Sequence, residues 1–130
     1  MPITFQVNAK ENYFISELRG NISDQELVDS FTAFYESDQW SPGMNELTML
    51  CVAEESNITK EGLMRLAIVT TKFFKKHHIQ ETHTAVYAPD DLTFGVSRMY
   101  EMMIKDSPET YHIFRDLDEA KLWLASLPRP

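Results

Sequence analysis

The sequence predicts a single α/β domain over residues 1–130, with a mixed, largely parallel five-stranded sheet flanked by about four helices. Strand-like segments with period-two or continuously apolar patterns alternate with segments of helical period. A Ser, Thr or Asp that can cap a helix precedes each helical segment. The resulting order is ββαβαβαβα, and strands that alternate with helices favour right-handed crossovers between parallel strands.

The first two strands are predicted to form a hairpin. Residues 3–8 alternate between apolar and polar side chains, as in a strand with one buried face. Residues 13–19 follow a polar, turn-like segment and end at Gly20. Two strands joined this closely pair antiparallel, so the hairpin adds one antiparallel edge to the sheet.

The first helix and the central strand have clear boundaries in the sequence. Ser23 and Glu26 have the spacing of a capping box, and the helix that they open should end near residues 36–38. Residues 47–53 form an apolar run between polar segments. Such a run is typical of a central strand that is covered on both faces.

The second half of the chain repeats strand and helix in turn. Thr59 is predicted to cap a long helix, and residues 82–88 to form the next strand. Asp90 should cap the third helix, residues 111–115 form the last strand, and Asp118 should cap the final helix.

Composition limits the functions that the chain can have. A length of 130 residues with 43% hydrophobic and 25% charged residues is typical of one soluble globular domain. The net charge of −8 disfavours nucleic acid as a partner. The chain has one cysteine, Cys51, and we see neither a signal peptide nor a transmembrane segment, so we expect a cytoplasmic protein.

The third helix is the strongest candidate for ligand binding. Its predicted inner stripe is Leu92, Val96, Met99 and Met103, and further apolar residues widen this arc. A wide arc needs a second apolar neighbour, which is either a ligand or partner or simply another helix. Arg98 could hold an acidic head group, or pair with Glu101 or with acids of a nearby loop. The predicted ligand-binding residues are Phe94, Arg98, Met99, Tyr100, Met102 and Met103.

The loop after the central strand is a candidate regulatory site. It contains Glu54, Glu55, Ser56 and Thr59. Ligands often bind at the carboxyl edge of parallel strands, and the amides of a following helix N-terminus can hold an anion. The alternative is an ordinary capped helix start with solvated acids.

A short basic cluster is a candidate for membrane or partner contact. Lys72, Lys75 and Lys76 lie at the end of the second predicted helix. They could touch lipid head groups or an acidic partner, or they could only complement the helix dipole. The sequence has no paired Cys/His metal motif, Gly-rich phosphate loop or nucleophile elbow. We therefore expect no cofactor, no metal and no enzymatic activity.

Three stretches resemble the SpoIIAA-like family, which is related to STAS domains. They are residues 18–23, residues 94–101, and residues 114–120 with Trp123-Leu124. The resemblance implies a mixed five-stranded sheet and a module that binds an apolar or lipid-like ligand or another protein. Residues 53–62 lack the Asp-Ser-x-Gly motif of the phosphorylated anti-sigma antagonists, and neighbouring acids would repel a phosphate, which disfavours a phospho-switch.

Together these observations predict a non-enzymatic binding module for a small apolar or lipid-like ligand held between helices and sheet. The alternative is a STAS-type module that binds a regulatory protein, with weak peripheral membrane contact or homodimer formation as further modes.

Overall fold

A computed structural model describes residues 2–54 and 56–128. The predicted order ββαβαβαβα is confirmed. The elements are β1 Ile3–Asn8, β2 Tyr13–Gly20, α1 Asp24–Glu36, β3 Asn45–Val52, α2 Lys60–Lys76, β4 Thr82–Tyr87, α3 Asp91–Met103, β5 Glu109–Phe114 and α4 Leu117–Ser126.

The five strands form one sheet in the order β1-β2-β3-β4-β5. The predicted hairpin is confirmed, since β1 and β2 pair antiparallel with Ile3 opposite Leu18. All the other neighbouring strands are parallel. One face of the sheet packs against α1, α2 and α3, and the opposite face packs against α4. The predicted α/β fold with a largely parallel sheet is therefore confirmed.

Local capping fixes where most helices begin. The Ser23 hydroxyl accepts a hydrogen bond from the Glu26 amide at 3.1 Å, and the Glu26 carboxylate accepts one from the Ser23 amide. Thr59 and Asp90 cap α2 and α3 as predicted. The prediction for α4 was wrong, because Asp116 caps it by accepting from the Glu119 amide at 3.1 Å. The chain turns into α4 soon after β5 ends, which leaves Asp118 inside the first helical turn.

The buried face of α3 differs from the predicted apolar stripe. Leu92 and Met99 are 41% and 40% exposed. The fully buried positions of the helix are instead Thr93 and Ser97. Val96 and Met103 of the predicted stripe are partly buried against the main core, so apolar spacing predicted the inner face of α3 only in part.

Two strands begin earlier than their apolar runs predict. β3 begins at Asn45 rather than at residue 47, and β5 begins at Glu109 rather than at residue 111. Glu46 and Glu109 therefore lie in strands of the sheet and not in the loops that precede them. These two carboxyl groups become central to the interior beneath α1, α2 and α3.

Candidate functional site

A row of polar side chains crosses the sheet on the face beneath α1, α2 and α3. Strand pairing sets Ser16 of β2 beside Thr48 of β3, and Glu46 of β3 beside Thr84 of β4. Thr84 in turn pairs with Tyr111 of β5. We call this row the polar belt, and its members are Ser16, Glu46, Thr48, Thr84, Glu109 and Tyr111.

Hydroxyl groups hold both carboxyl groups of the belt. Ser16 Oγ donates to Glu46 Oε2 at 2.6 Å, and Thr48 Oγ1 donates to the same oxygen at 2.8 Å. The Thr84 hydroxyl donates to Glu109 Oε1. Neither carboxyl group has a cationic partner among the described residues, and hydroxyl dipoles compensate for the burial of the two acids.

Burial changes the acidity of both glutamates. Burial raises the pKa of Glu46, and the Ser16 and Thr48 hydrogen bonds oppose that rise. Burial and then the nearby Glu46 charge raise the pKa of Glu109 to about 8, against a smaller opposing effect from Thr84. As a whole residue Glu109 is partly exposed, but its Oε2 atom is buried. At neutral pH, Glu109 is therefore mostly protonated.

Three tyrosines surround the belt. Tyr35 lies on α1, Tyr100 on α3 and Tyr111 on β5. Burial is the main cause that raises the pKa of each well above its ordinary value, and the nearby glutamate charges add to it. The three hydroxyls are consequently neutral at physiological pH and present uncharged aromatic rings to the interior.

A cavity of about 60 Å³ lies between the three helices and the sheet. It is walled largely by apolar side chains, among them Leu27 of α1, Leu63 of α2 and Val96 of α3. The polar exceptions include both belt glutamates and all three tyrosines. An apolar pocket with a few convergent polar groups and perturbed acids is a typical small-molecule site.

Two polar atoms at the cavity have no hydrogen-bond partner among the described residues. They are Ser97 Oγ and Glu109 Oε2. Ser97 lies near enough to Tyr111 to lower its pKa, but the two hydroxyls do not form a hydrogen bond of acceptable geometry. Buried polar atoms are rarely left unpaired, which makes these two oxygens candidates for contact with a ligand or with water.

Of the predicted ligand-binding residues on α3, the structure places only Tyr100 on this cavity. Met103 is partly buried against the main core. Met102 is 73% exposed and Met99 also faces solvent. These two methionines therefore belong to the outer surface of α3, and a ligand bound in the cavity would not reach them.

The other two predicted residues of α3 make surface contacts. Arg98 pairs with Glu101 at 2.8 Å, which was one of the alternatives that its position suggested. Phe94 lies partly buried beneath the Arg115 guanidinium, 4.5 Å from ring centre to the guanidinium carbon. Both contacts stabilise the outside of the domain and lie apart from the cavity lining.

The candidate regulatory loop is fastened to the β2–α1 junction. Ser56 Oγ accepts from the Ile22 amide at 3.3 Å and donates to the Ile22 carbonyl at 3.0 Å. Thr59 Oγ1 donates to Asp24 Oδ2 at 2.6 Å while it caps α2. Glu54 is exposed, and Glu55 lies outside the described residues. Both hydroxyls of the predicted site thus have structural partners.

The candidate basic cluster lies on the surface of α2. Lys72, Lys75 and Lys76 are all exposed. Lys72 and Lys76 border an open groove between α1 and α2 that also contains Glu36. The groove is separate from the interior cavity.

Sequence patterns missed Glu46, Glu109 and Ser97. Each glutamate lies one or two residues before a strand predicted from the sequence, where a charged residue is usually interpreted as part of a loop. One signal was present, since Ser16 interrupts an otherwise apolar face of β2, and Thr82 and Thr84 place two polar residues on one face of β4. Polar residues at interior strand positions can indicate a buried network, but their partners become visible only when the strands are in register.

Comparison with known proteins gives the fold and no activity. No family model matches the chain, and no curated relative matches it. A solved structure that is similar is an uncharacterized protein from the DUF3478 family with a SpoIIAA-like fold, from Shewanella loihica PV-4. The two share 16% identity with a TM-score of 0.53, over 94% of this chain and 91% of that one. The SpoIIAA-like resemblance is thereby confirmed for the fold.

Two absences hold for the part of the chain that the structure describes. No helix there is long and apolar enough to cross a membrane. Within the same residues, no group of three or more His, Cys, Asp or Glu side chains gathers in a way that could hold a metal ion.

Proposed function

We propose that this domain is a non-enzymatic binding module that takes a small, largely apolar ligand into the cavity between α1, α2, α3 and the sheet. The observation that carries this proposal is the cavity itself, where apolar walls surround two oxygens without hydrogen-bond partners. The walls favour a ligand with an apolar body, and the two oxygens favour a ligand that also carries one polar group.

The cavity and the outer surface of α3 are competing locations for this ligand. A substitution on each can distinguish them. Val96 lines the cavity, whereas Met102 lies on the same helix but faces solvent. Phenylalanine at position 96 should fill part of the cavity, while phenylalanine at position 102 should leave it unchanged.

The experiment is an NMR titration of isotope-labelled protein with n-butanol and n-pentanol. We expect shifts at cavity-lining residues in the wild type and in Met102→Phe, and loss of those shifts in Val96→Phe. Equal binding by the wild type and Val96→Phe would contradict the cavity as the site. Loss of binding in Met102→Phe instead would move the site to the outer face of α3.

A second candidate function is a STAS-type module that binds a regulatory protein. Its support is a set of large apolar side chains exposed on two neighbouring helices. They are Met64 and Ile68 on α2, and Leu92, Met99 and Met102 on α3. Apolar residues exposed together are typical of protein interfaces, although single ones are common on any surface.

Charge substitutions on these helices test the second candidate. Ile68→Asp and Met102→Asp should abolish recovery of a specific partner from a native extract, while Gln80→Asp, at an exposed polar position, should not. The same variants in analytical ultracentrifugation would show whether this surface forms a homodimer. A partner recovered equally with all three variants binds elsewhere.

Peripheral membrane contact through Lys72, Lys75 and Lys76 is an additional mode for either function. A triple Lys→Gln variant should lose binding to anionic vesicles in co-sedimentation at low salt. Absence of wild-type binding under those conditions would rule the contact out.

A further inference from the structure

Apart from the tyrosines, the ionisable groups that line the cavity are acids, and Glu109 becomes charged as the pH rises through about 8. Glu46 and Glu109 contribute two carboxyl groups, and no lysine, arginine or histidine is found among the described residues that line the cavity. An anionic ligand would therefore be buried beside two acids without any positive partner, which is strongly unfavourable. A neutral ligand avoids that repulsion, and a cationic ligand would supply the missing counter-charge.

The two atoms at the cavity that have no hydrogen-bond partner among the described residues are both oxygens. Ser97 Oγ and Glu109 Oε2 are both oxygens that can accept hydrogen bonds, and Ser97 is only 1% exposed. A protonated primary amine carries several N–H donors and no acceptor, as the lysine ammonium does. A ligand of that chemistry would satisfy oxygens that the protein itself leaves unpaired.

The aromatic residues that line the cavity also favour a cationic ligand. Tyr35, Tyr100 and Tyr111 border the cavity together with the two glutamates. Neutral tyrosine rings attract cations at their faces, and the attraction grows when the cation is removed from water. Aromatic rings combined with carboxylates are a general solution for recognising ammonium groups.

We infer that the cavity selects ligands that carry an ammonium group on a short apolar body, with the ammonium at Glu109 and Ser97 and the body against the apolar wall. This inference rests on the proposed function of the cavity as a ligand site. A volume of about 60 Å³ allows roughly four to six non-hydrogen atoms if each takes the space of one water. n-Butylamine is a probe of that size.

The test compares n-butylamine, n-butanol and propionate, which have equal numbers of non-hydrogen atoms but differ in charge. NMR titrations run at about pH 8.5, where the amine remains protonated and Glu109 is largely ionised. We expect n-butylamine to bind about tenfold more tightly than n-butanol, and propionate to bind most weakly. The shifts should centre on residues that line the cavity.

Two variants separate the carboxylate from general attraction of a cation to an acidic protein. Glu109→Gln preserves shape and should reduce n-butylamine affinity to that of n-butanol. Glu81→Gln removes an exposed carboxylate outside the cavity lining and should leave the preference unchanged. Ser97→Ala should weaken n-butylamine binding by a smaller factor while it leaves n-butanol binding nearly constant.

The outcomes distinguish the preference for ammonium from the proposal that the cavity binds a ligand at all. If n-butanol binds in the cavity as tightly as n-butylamine, the ammonium preference is wrong and the cavity remains a ligand site. If no probe shifts the cavity-lining residues, both are wrong. Amine shifts that persist in Glu109→Gln and centre on surface acids would also overturn the ammonium preference.

Discussion

The two faces of the sheet are built differently although the same strands supply both. On the α4 face, Leu47 and Ala85 are fully buried against Ala120, and the Trp123 ring stacks on His112 at 4.6 Å. On the other face, the same strands carry the polar belt beneath three helices, with a cavity above it. One face carries a small apolar layer, and the other carries the main apolar core together with buried acids and unfilled space.

The difference identifies the cavity face as the part of the molecule whose buried polar groups lower the free energy of unfolding. Tightly packed apolar side chains contribute favourable free energy, whereas buried carboxyl groups and unpaired hydroxyls oppose folding. The cavity face also carries the main apolar core, around Phe14, Leu27 and Phe31, so the buried acids there oppose a stabilising layer that surrounds them. A costly polar interior that persists beneath α1, α2 and α3 is what one expects of a binding site.

The largest expected effect is a pH dependence that arises from the cavity face alone. Burial raises the pKa of Glu109 from about 4.5 in the unfolded chain to about 8 in the folded protein. The folded state then binds the proton more tightly, so this group's contribution to stability is greatest below pH 4.5 and is lost as the pH rises through 8. The free energy of unfolding should fall on the order of 2 to 3 kcal/mol between about pH 5.5 and pH 7.5.

Urea unfolding across this pH range measures the effect, and Glu109→Gln should remove most of it. A smaller fall should remain from Glu46, whose pKa burial also raises. Hydrogen bonds lower the pKa of Glu17 and Asp90, and these groups act with the opposite sign only at more acidic pH. An unchanged slope in Glu109→Gln, or a lost slope in the control Glu81→Gln, would contradict the assignment.

The next effect concerns packing, and it uses two leucines of β3 that point to opposite faces. Leu47 is fully buried against α4, whereas Leu50 lines the cavity. Leu47→Phe should overpack its face and lower the free energy of unfolding by about 2 kcal/mol, while Leu50→Phe should cost less than about 1 kcal/mol because the ring can occupy the cavity. Thermal or urea unfolding measures both, and an equal loss in free energy of unfolding for the two variants would show that both faces are equally tightly packed.

The smallest effect compares two buried serines at the cavity face. Ser97→Ala removes a hydroxyl without a hydrogen-bond partner and should stabilise the ligand-free protein by about 1 kcal/mol. Ser16→Ala removes a hydrogen-bond donor to Glu46 and should destabilise the ligand-free protein by about the same amount. Urea unfolding at a fixed pH near 6 checks both, and a loss of stability in Ser97→Ala would mean that its hydroxyl already has a partner.

Sequence patterns were most successful where the interaction is local. The Ser23–Glu26 capping box and the Thr59 cap join residues three positions apart, so their spacing is visible in the chain. The prediction of Asp118 as a cap failed because a neighbouring acid, Asp116, could make the same contact. The predicted inner face of α3 was right for Val96 and Met103 but wrong for Leu92 and Met99, because apolar spacing gives no weight to the small polar residues Thr93 and Ser97, which are buried instead.

The candidate site was predictable only in part. The sequence pointed to a ligand between helices and sheet and to Tyr100, and both are consistent with the cavity. It did not identify Glu46 or Glu109, because their burial depends on strands that lie far apart in the chain. Hydrophobic spacing treats a glutamate beside an apolar run as solvated, and only its neighbours across the sheet show otherwise.

The sequence by itself determined the order of the elements, the hairpin edge and most helix starts, since these follow from periodicity and from contacts within one turn. The tertiary structure decided which helix faces became buried and that Glu46, Glu109 and Ser97 meet around one cavity. The physical reason is that burial and the pairing of polar atoms are set by the register between β3, β4 and β5 and by the helices above them.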